Sequence, residues 1–460
     1  MARRGLTLLL ICLALLPGSE AQKPTGAPAG GKPRVEGKPL LQDSLRASAE
    51  KRPGAPKRGT KPPGVQAEAP PRPQVRNQDK IIPHCLMITD LKVVNDPRAS
   101  QGGKWSFGYL MRAMANTPAT GIVPEEFVRR WLAHWEHDQS INGFTVRKRE
   151  DIQTVIDSWP KQSDGRLDLD RAPFRLLAIV NRLDLRNNLV LGVPRVGGGG
   201  AGEGRFVYCW VNESGAPQNF TVNFEFAVKR KTFEEVQQWA KRWYDLKDLT
   251  MGSAEFLQAL EAVTEQFAAA AADPEQPPAG SALAQLRTNE IALGALWELR
   301  EFQLDTRNSG YLRQVTVKQN PDISFDNGQV LLDFVTRDQS DILGKRHAIP
   351  VEFPAGKPLL AGSSLMRVNF RWKLPDTAPP ELEPARHLFA LHTCNGCHFA
   401  ETNTQFVHVI PRRADESARL SQFLKTPLTG DLDLREQDLG ALVETGRSYE
   451  EQRLPLQFVH

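Results

Sequence analysis

Two cysteines and a histidine lie within five residues near the carboxyl end of the chain. They are Cys394, Cys397 and His398, in the order Cys-Asn-Gly-Cys-His. Two thiols separated by two residues can be presented on one turn of backbone, where each adds to one vinyl group of a porphyrin. The next residue, a histidine, then lies over the iron and binds it through an imidazole nitrogen. The spacing predicts one covalent haem c, anchored by Cys394 and Cys397, with His398 as the proximal ligand.

Three other interpretations of these residues stay open. A Cys-x-x-Cys redox pair generally follows a strand in a βαβ unit, whereas a helical pattern precedes Cys394. A zinc site needs four nitrogen or sulfur ligands, so Cys394, Cys397 and His398 would need His392 or His408 as the fourth. A structural disulfide between the two cysteines would be strained.

From about residue 384 onward the chain resembles a small c-type cytochrome domain at the end of a larger secreted bacterial protein. An amphipathic helical pattern at 387–391 runs into the motif, Pro411 follows it, and further helical patterns appear at 418–424 and 439–443. The resemblance implies an all-α domain that carries one haem. It also implies one-electron transfer with a redox partner protein, whose identity the sequence does not give.

The sixth ligand of the iron departs from that family's pattern. Such domains usually offer a methionine downstream of the motif, and this chain has none after Met366. His408, which lies among apolar residues, is the candidate distal metal ligand, and two imidazoles would lower the reduction potential relative to His/Met ligation. A core histidine bonded to backbone explains His408 equally well. His392, His387, Met366, Lys425 and a water-filled position are the other options.

The first 80 residues predict an export signal and a flexible linker. Arg3 and Arg4 precede an apolar stretch at 6–16, and small residues close the segment 1–21, as in a secretory signal peptide. Residues 22–80 hold eleven prolines and a net charge of +8, a composition typical of disordered chain. We therefore expect a periplasmic or extracellular protein with no transmembrane segment after cleavage.

The charge distribution excludes one class of partner. The whole chain carries a net charge of +4, whereas residues 22–80 alone carry +8. The excess of basic residues therefore lies in the linker, and the remainder of the chain is acidic. An exported protein with an acidic folded part is not expected to bind nucleic acid. A solvated spacer without a partner is the interpretation that this composition favours most, and weak contact of the basic linker with acidic polymers of the cell envelope is the partner interaction that its charge allows.

The middle of the chain, 81–375, predicts an α+β body with an antiparallel sheet, joined by a second proline-rich linker, 376–384, to the haem domain at 385–460. Alternating and fully apolar runs predict strands at 176–180, 206–211, 220–228, 297–304 and 311–318. Apolar residues at helical spacing predict helices at 127–135, 233–243 and 253–267, the second opened by a capping box of Thr232 and Glu235. Strand pairs mixed with helix pairs favour α+β.

Two further groups of residues allow weaker predictions. Cys85 and Cys209 form an even pair in an oxidising compartment, so a disulfide is plausible, although two isolated buried thiols would look the same. Polar residues at 181–186 end a probable buried strand, where we expect them to form ion pairs.

Three functions fit the sequence. The first is an exported electron carrier with one covalent haem. The second is a secreted redox enzyme, or a sensor of a diatomic gas, in which the body binds a ligand. The third is a binding module in which the haem stabilises a small domain. The sequence leaves any catalytic residue and the oligomeric state undetermined.

Overall fold

The structure is a computed structural model, and it describes residues 78–186, 200–294, 296–366, 370–426 and 430–446. The predicted signal peptide, 1–21, and the predicted linker up to residue 77 lie outside the described residues. These described residues belong to one compact unit, in which residues 78–80, predicted as linker, already begin a helix. Among the described helices, none is long and apolar enough to cross a bilayer.

Helices and strands alternate irregularly along the chain. The helices of the described residues are α1 (Gln78–Ile81), α2 (Leu91–Val94), α3 (Phe107–Ala115), α4 (Thr117–Thr120), α5 (Pro124–Leu132), α6 (Ile152–Ser158), α7 (Phe233–Tyr244), α8 (Ala254–Ala268), α9 (Gln329–Arg337), α10 (Gln339–Leu343), α11 (Glu383–Leu391), α12 (Cys394–Cys397), α13 (Gln422–Lys425) and α14 (Asp431–Thr445). The strands are β1 (Met87–Ile88), β2 (Gln139–Ile141), β3 (Phe144–Val146), β4 (Phe174–Arg182), β5 (Glu203–Val211), β6 (Pro217–Ala227), β7 (Leu283–Glu290), β8 (Trp297–Leu299), β9 (Glu301–Leu304), β10 (Leu312–Val315), β11 (Ser364–Met366), β12 (Val409–Ile410) and β13 (Arg419–Leu420).

A seven-stranded antiparallel sheet organises the fold, in the order β1-β4-β5-β6-β7-β9-β10 within the described residues. The predicted strands at 206–211 and 220–228 are β5 and β6, and they pair antiparallel with Phe206 opposite Phe224. The predicted strand at 297–304 is divided at Arg300 between β8 and β9 because β8 leaves the sheet to pair with β11. The α+β class with a large antiparallel sheet is therefore confirmed.

One face of this sheet is an aromatic core. Phe220, Val222, Phe224 and Phe226 alternate along β6 and are all buried. Helix α3 brings Phe107 to this face, with ring centroids 5.3 Å from Phe224, and helix α8 brings Phe267 against Phe226. The amphipathic patterns that predicted these helices thus bury their apolar sides against the sheet.

The opposite face is polar and is buried as well. The antiparallel register aligns Arg205, Glu225 and Gln285 across β5, β6 and β7, and aligns Arg287 with Glu301 on β9. Arg205 Nη1 lies 3.3 Å from Glu225 Oε1 and Arg287 Nη2 lies 2.9 Å from Glu301 Oε2. Opposite charges therefore alternate across the face, and this pairing offsets the cost of removing them from water.

The segment after residue 383 covers that polar face. Leu432, Leu439 and Leu442 of α14 belong to the same apolar cluster as the sheet, and Arg186 pairs with Asp438. Arg412 donates to the carbonyl oxygen of Leu176 in β4 at 3.0 Å. In the described residues, the parts before and after the predicted linker at 376–384 thus share one apolar core.

The secondary structure of this segment also differs in part from the expectation of an all-α unit. Residues 418–424, predicted as helical, contribute the short strand β13, which pairs with β12, and only α13 is helical there. Helix α14 extends well beyond the pattern at 439–443 and ends at Gly446, whose φ of +64° suits glycine at a helix end.

Candidate haem-binding site

The predicted haem motif forms a single helical turn, α12, directly after α11. Thr393 caps this turn, because its Oγ1 accepts a hydrogen bond from the backbone N–H of Gly396 at 3.1 Å. Gly396 lies against α11, and a Cβ atom there would be 2.1 Å from the carbonyl oxygen of Ala390. The absence of a side chain at Gly396 therefore lets α12 pack closely on α11.

Cys394 and Cys397 lie three residues apart on this turn. Both are buried, at 1% and 0% exposure, and none of the four described cysteines forms a disulfide. Burial raises the pKa of Cys394 to about 12 and raises that of Cys397 well above its ordinary value. Both thiols are therefore protonated at neutral pH as they lie in this structure, whereas a redox pair reacts as the thiolate, and the alternative disulfide between them is not formed here.

His398 is held in a defined orientation by one backbone carbonyl. Its Nδ1 lies 2.7 Å from the carbonyl oxygen of Phe406, and since a carbonyl only accepts, Nδ1 carries the hydrogen. Nε2 is then the nitrogen with the lone pair, as in histidine ligands of metal ions. Burial lowers the pKa of His398 to about 4, so the ring is neutral and able to coordinate at pH 7.

Trp297 of β8 contacts both His398 and its hydrogen-bond acceptor. The indole ring lies 5.2 Å from the imidazole, centroid to centroid, and its Nε1 donates to the same Phe406 oxygen at 3.1 Å. Trp297 precedes the motif by about a hundred residues, so His398 is positioned jointly by the motif and by a distant part of the chain.

His408 lies beside the motif but not where a sixth ligand is expected. Its Nδ1 is 2.9 Å from Ser421 Oγ, its Nε2 is 3.7 Å from Cys397 Sγ, and its ring centroid is 4.6 Å from that of His398. Two imidazoles on opposite sides of one iron, each about 2 Å from it, would place the centroids roughly 6 Å apart. As placed, the two rings leave no room for an iron between them.

The other sixth-ligand options lie in different surroundings. His392 packs against His347, 4.8 Å between centroids, and His387 Nδ1 bonds to Glu401 at 2.6 Å. Lys425 is exposed. Met366 is the option that shares an apolar cluster with both cysteines.

A small cavity separates the motif from the polar face of the sheet. It measures about 70 Å³, and its walls include His398 and His408 on one side and Arg205, Asn223 and Asn289 on the other. The side-chain oxygens of both asparagines are buried and have no hydrogen-bond partner among the described residues. Buried amide oxygens normally accept a hydrogen bond, so these two oxygens are acceptors for a hydrogen-bond donor that enters the cavity.

The donor set fits a covalent haem, whereas the space beside it is smaller than a porphyrin needs. Cofactor sites generally measure about 300–1,000 Å³, several times this cavity. The roof, which includes Val409 of β12 and Leu424 of α13, must move away from the sheet to admit the macrocycle. Zinc fits less well, because no three or more His, Cys, Asp or Glu side chains of the described residues form a group able to hold a metal ion.

The proposed Cys85–Cys209 disulfide is not formed in this structure. Met87 of β1, two residues after Cys85, pairs with Val180 of β4, and Val180 pairs with Arg205 of β5. Cys209 follows Arg205 by four residues, a distance of roughly 13 Å along β5. A disulfide requires Cα atoms within about 7 Å. Burial raises the pKa of Cys85 to about 12 and that of Cys209 to about 11, which makes both of them inert buried thiols.

Ion pairs at the end of β4 were predicted and are present. Arg182 and Asp184 pair at 2.8 Å, and Arg182 also reaches the cavity wall. The structure adds Trp297, Phe406, Asn223 and Asn289 to the site. The alternation of polar residues on β6 and β7 is the signal that could have located the asparagines, but it reads as a solvent-facing side of a sheet.

Comparisons with known proteins add no family to these observations. Neither a scan against protein-family models nor searches of curated proteins and of solved structures found a match to this chain. Its function therefore has to be argued from the site itself.

Proposed function

We propose that this chain is an exported c-type haem protein that carries one covalent haem and transfers single electrons. Cys394 and Cys397 would form the two thioether bonds, and His398 would bind the iron through Nε2. When bound, the haem supplies an iron centre that accepts and returns one electron. The partners would be a reduced donor protein and an oxidised acceptor protein.

The orientation of His398 is the observation that carries the proposal. A Cys-x-x-Cys-His sequence alone is a pattern, but here the histidine is neutral and donates Nδ1–H to the carbonyl oxygen of Phe406 at 2.7 Å. That bond fixes the tautomer and directs Nε2 away from the backbone, as metal-ligating histidines require. The cytochrome-like character is supported by this motif rather than by a separate all-α domain.

The test is covalent haem attachment in a host that has the attachment machinery. Wild-type protein should show a haem-stained band at its own mass after denaturing electrophoresis and a c-type pyridine haemochrome spectrum. Substituting Cys394→Ala together with Cys397→Ala should abolish both signals, because the thioether bonds are lost.

The chain offers a matched control for that pair. Cys85→Ala together with Cys209→Ala also removes two buried thiols, and this variant should keep the covalent haem. A colourless wild-type band, or equal staining of the two double variants, would contradict the proposed attachment.

A second candidate function, ligand binding at the haem, is favoured by the cavity next to His398. The buried oxygens of Asn223 and Asn289 offer acceptors to a small hydrogen-bonding guest. A five-coordinate ferrous spectrum that changes on addition of carbon monoxide would favour this function, and a six-coordinate low-spin spectrum would favour electron transfer.

A further inference from the structure

A second cleft is lined by α7 and by the segment 229–231 that precedes it. It measures about 450 Å³, which lies within the range of about 300–1,000 Å³ that is typical of small-molecule sites. Four of its seven lining side chains are basic and one is acidic, so the cleft carries an excess of positive charge. None of the seven belongs to the predicted haem motif.

Arg230 is held in a defined position at this cleft. Its guanidinium group lies over the indole ring of Trp239, 4.9 Å from the ring centroid. Nη1 donates to the carbonyl oxygen of Lys229 at 2.7 Å, and Nη2 donates to Gln266 Oε1 at 2.8 Å. A guanidinium group has five N–H donors, so three remain for a ligand. No carboxylate of the described residues forms an ion pair with this side chain.

Arg242 brings a second guanidinium group to the same cleft. Residues three and four apart lie on one side of a helix, so Arg242 follows Gln238 and Trp239 along the side of α7 that lines the cleft. It is exposed, and no described residue forms a hydrogen bond or an ion pair with it. Burial, followed by repulsion from Arg242, lowers the pKa of Arg230, and the opposing attraction of Glu235 is smaller than either effect.

The other charged side chains of the cleft have partners of their own. Lys229 Nζ lies 2.7 Å from Asp273 Oδ2, and Lys231 Nζ lies 3.3 Å from Glu275 Oε1. Glu235, the one acidic side chain, accepts a backbone N–H in the capping box at the start of α7. Two positive charges on the wall of the cleft are thus left without an ion pair among the described residues.

We propose that this cleft binds the phosphate group of a small anionic ligand through Arg230 and Arg242. Guanidinium groups match phosphate oxygens with pairs of parallel N–H···O bonds, and an anion held by both arginines replaces their mutual repulsion by attraction to a shared partner. The cleft is larger than one phosphate ion, so it admits a phosphate monoester as well as the free ion. The site goes beyond the proposed function, because it requires no haem.

The test is a titration of the full chain with inorganic phosphate and with glycerol 3-phosphate. Binding is measured by isothermal titration calorimetry in a phosphate-free buffer of low ionic strength, where electrostatic attraction is screened least. Arg242→Gln removes the exposed cation of the cleft. Lys241→Gln is the matched control, because it makes the same change of charge at the preceding position of α7. Lys241 does not line the cleft and pairs with Asp245 at 2.7 Å.

Wild-type protein should bind the phosphate probes, and Arg242→Gln should raise the dissociation constant about tenfold or more, because hydrogen bonds between charged groups contribute on that order. Lys241→Gln should change it by less than about twofold, as expected for one exposed charge outside the site. The basic linker is the same in all three proteins, so its attraction for anions does not contribute to the difference. Tighter binding of glycerol 3-phosphate than of inorganic phosphate would identify a monoester as the ligand, and equal or weaker binding would identify the free ion.

Two results would overturn the proposal. One is that wild-type protein binds neither probe, and the other is that the two variants weaken binding equally, since the effect would then come from net charge alone. If Arg242→Gln does not fold, Arg242→Lys keeps the charge and removes the planar fork of N–H donors. That variant should also bind phosphate more weakly than wild type, and an unchanged dissociation constant would contradict the proposed contact.

Discussion

Replacing Gly396 by alanine tests the packing of the motif most directly. The added Cβ would lie 2.1 Å from the carbonyl oxygen of Ala390 and 2.7 Å from Thr393 Oγ1, whereas carbon and oxygen normally stay more than 3 Å apart. Helix α12 would have to move by about 1 Å away from α11. Overpacking of this kind costs about 1–3 kcal/mol, and we expect the upper end because the opposing atom is backbone.

Gly440 of α14 is the control for this substitution. It also lies inside a helix of the same segment, but a Cβ there meets nothing within 4 Å. Gly440→Ala should stabilise the protein by about 0.5–1 kcal/mol, because alanine restricts the unfolded chain and favours helix. The two identical chemical changes are thus expected to have opposite effects.

Urea unfolding followed by tryptophan fluorescence measures both variants. With a slope of about 3 kcal/mol per molar urea, a loss of 3 kcal/mol lowers the midpoint by about 1 M. Gly440→Ala should raise it by about 0.2–0.3 M on the same slope. Equal midpoints for Gly396→Ala and wild type would refute the close contact between α12 and α11.

Two more outcomes follow, one for His408 beside the motif and one for Glu436 of α14. His408→Ala should leave the spectrum of the haem-loaded protein unchanged, because His408 is not placed opposite His398; loss of low-spin bands would identify it as the sixth ligand. Burial raises the pKa of Glu436 to about 7, so Glu436 binds a proton more tightly in the folded than in the unfolded protein. Its contribution to the free energy of unfolding is therefore present below about pH 4.5 and is lost as the pH rises toward 7. Glu436→Gln should therefore unfold at higher urea than wild type at pH 8 and at a similar concentration at pH 4, and a difference of the same size at both pH values would contradict the raised pKa.

Local patterns predicted the parts of the fold that depend on neighbouring residues. The alternation of phenylalanines on β6 and the capping box of Thr232 and Glu235 both reflect contacts within one element, and both are present. The Cys-x-x-Cys-His motif at Cys394 was recognisable because its residues are adjacent in the sequence. Such features are determined by a few residues that are close together in the sequence.

Features that depend on distant parts of the chain were not predictable in the same way. Thr221 and Glu225 alternate with phenylalanines, a pattern typical of a sheet with one side in water, yet both are buried under the C-terminal segment. Arginines from β5 and β7 compensate Glu225: although burial alone would raise its pKa, Arg205 and Arg287 lower it. A periodic pattern carries no information on such pairing between strands.

The position of Trp297 shows the same limitation. Its strand was predicted as part of a longer one, and the break at Arg300 arises because β8 pairs with β11, far along the chain. Only that pairing brings Trp297 to His398. Similarly, residues 418–424 have a helical pattern, but β13 forms because β12 supplies a partner strand.

The burial of both motif thiols has a consequence for how the protein matures. Cys394 and Cys397 are buried in this structure, and a thiol with a pKa near 12, as for Cys394, is almost entirely protonated at neutral pH. Under the proposed function, an attachment enzyme must reach them before this segment docks. Synthesis from the amino terminus makes the sheet before the motif, so under the proposed function maturation would depend on a delay between completion of the sheet and docking of the segment that contains α11 to α14.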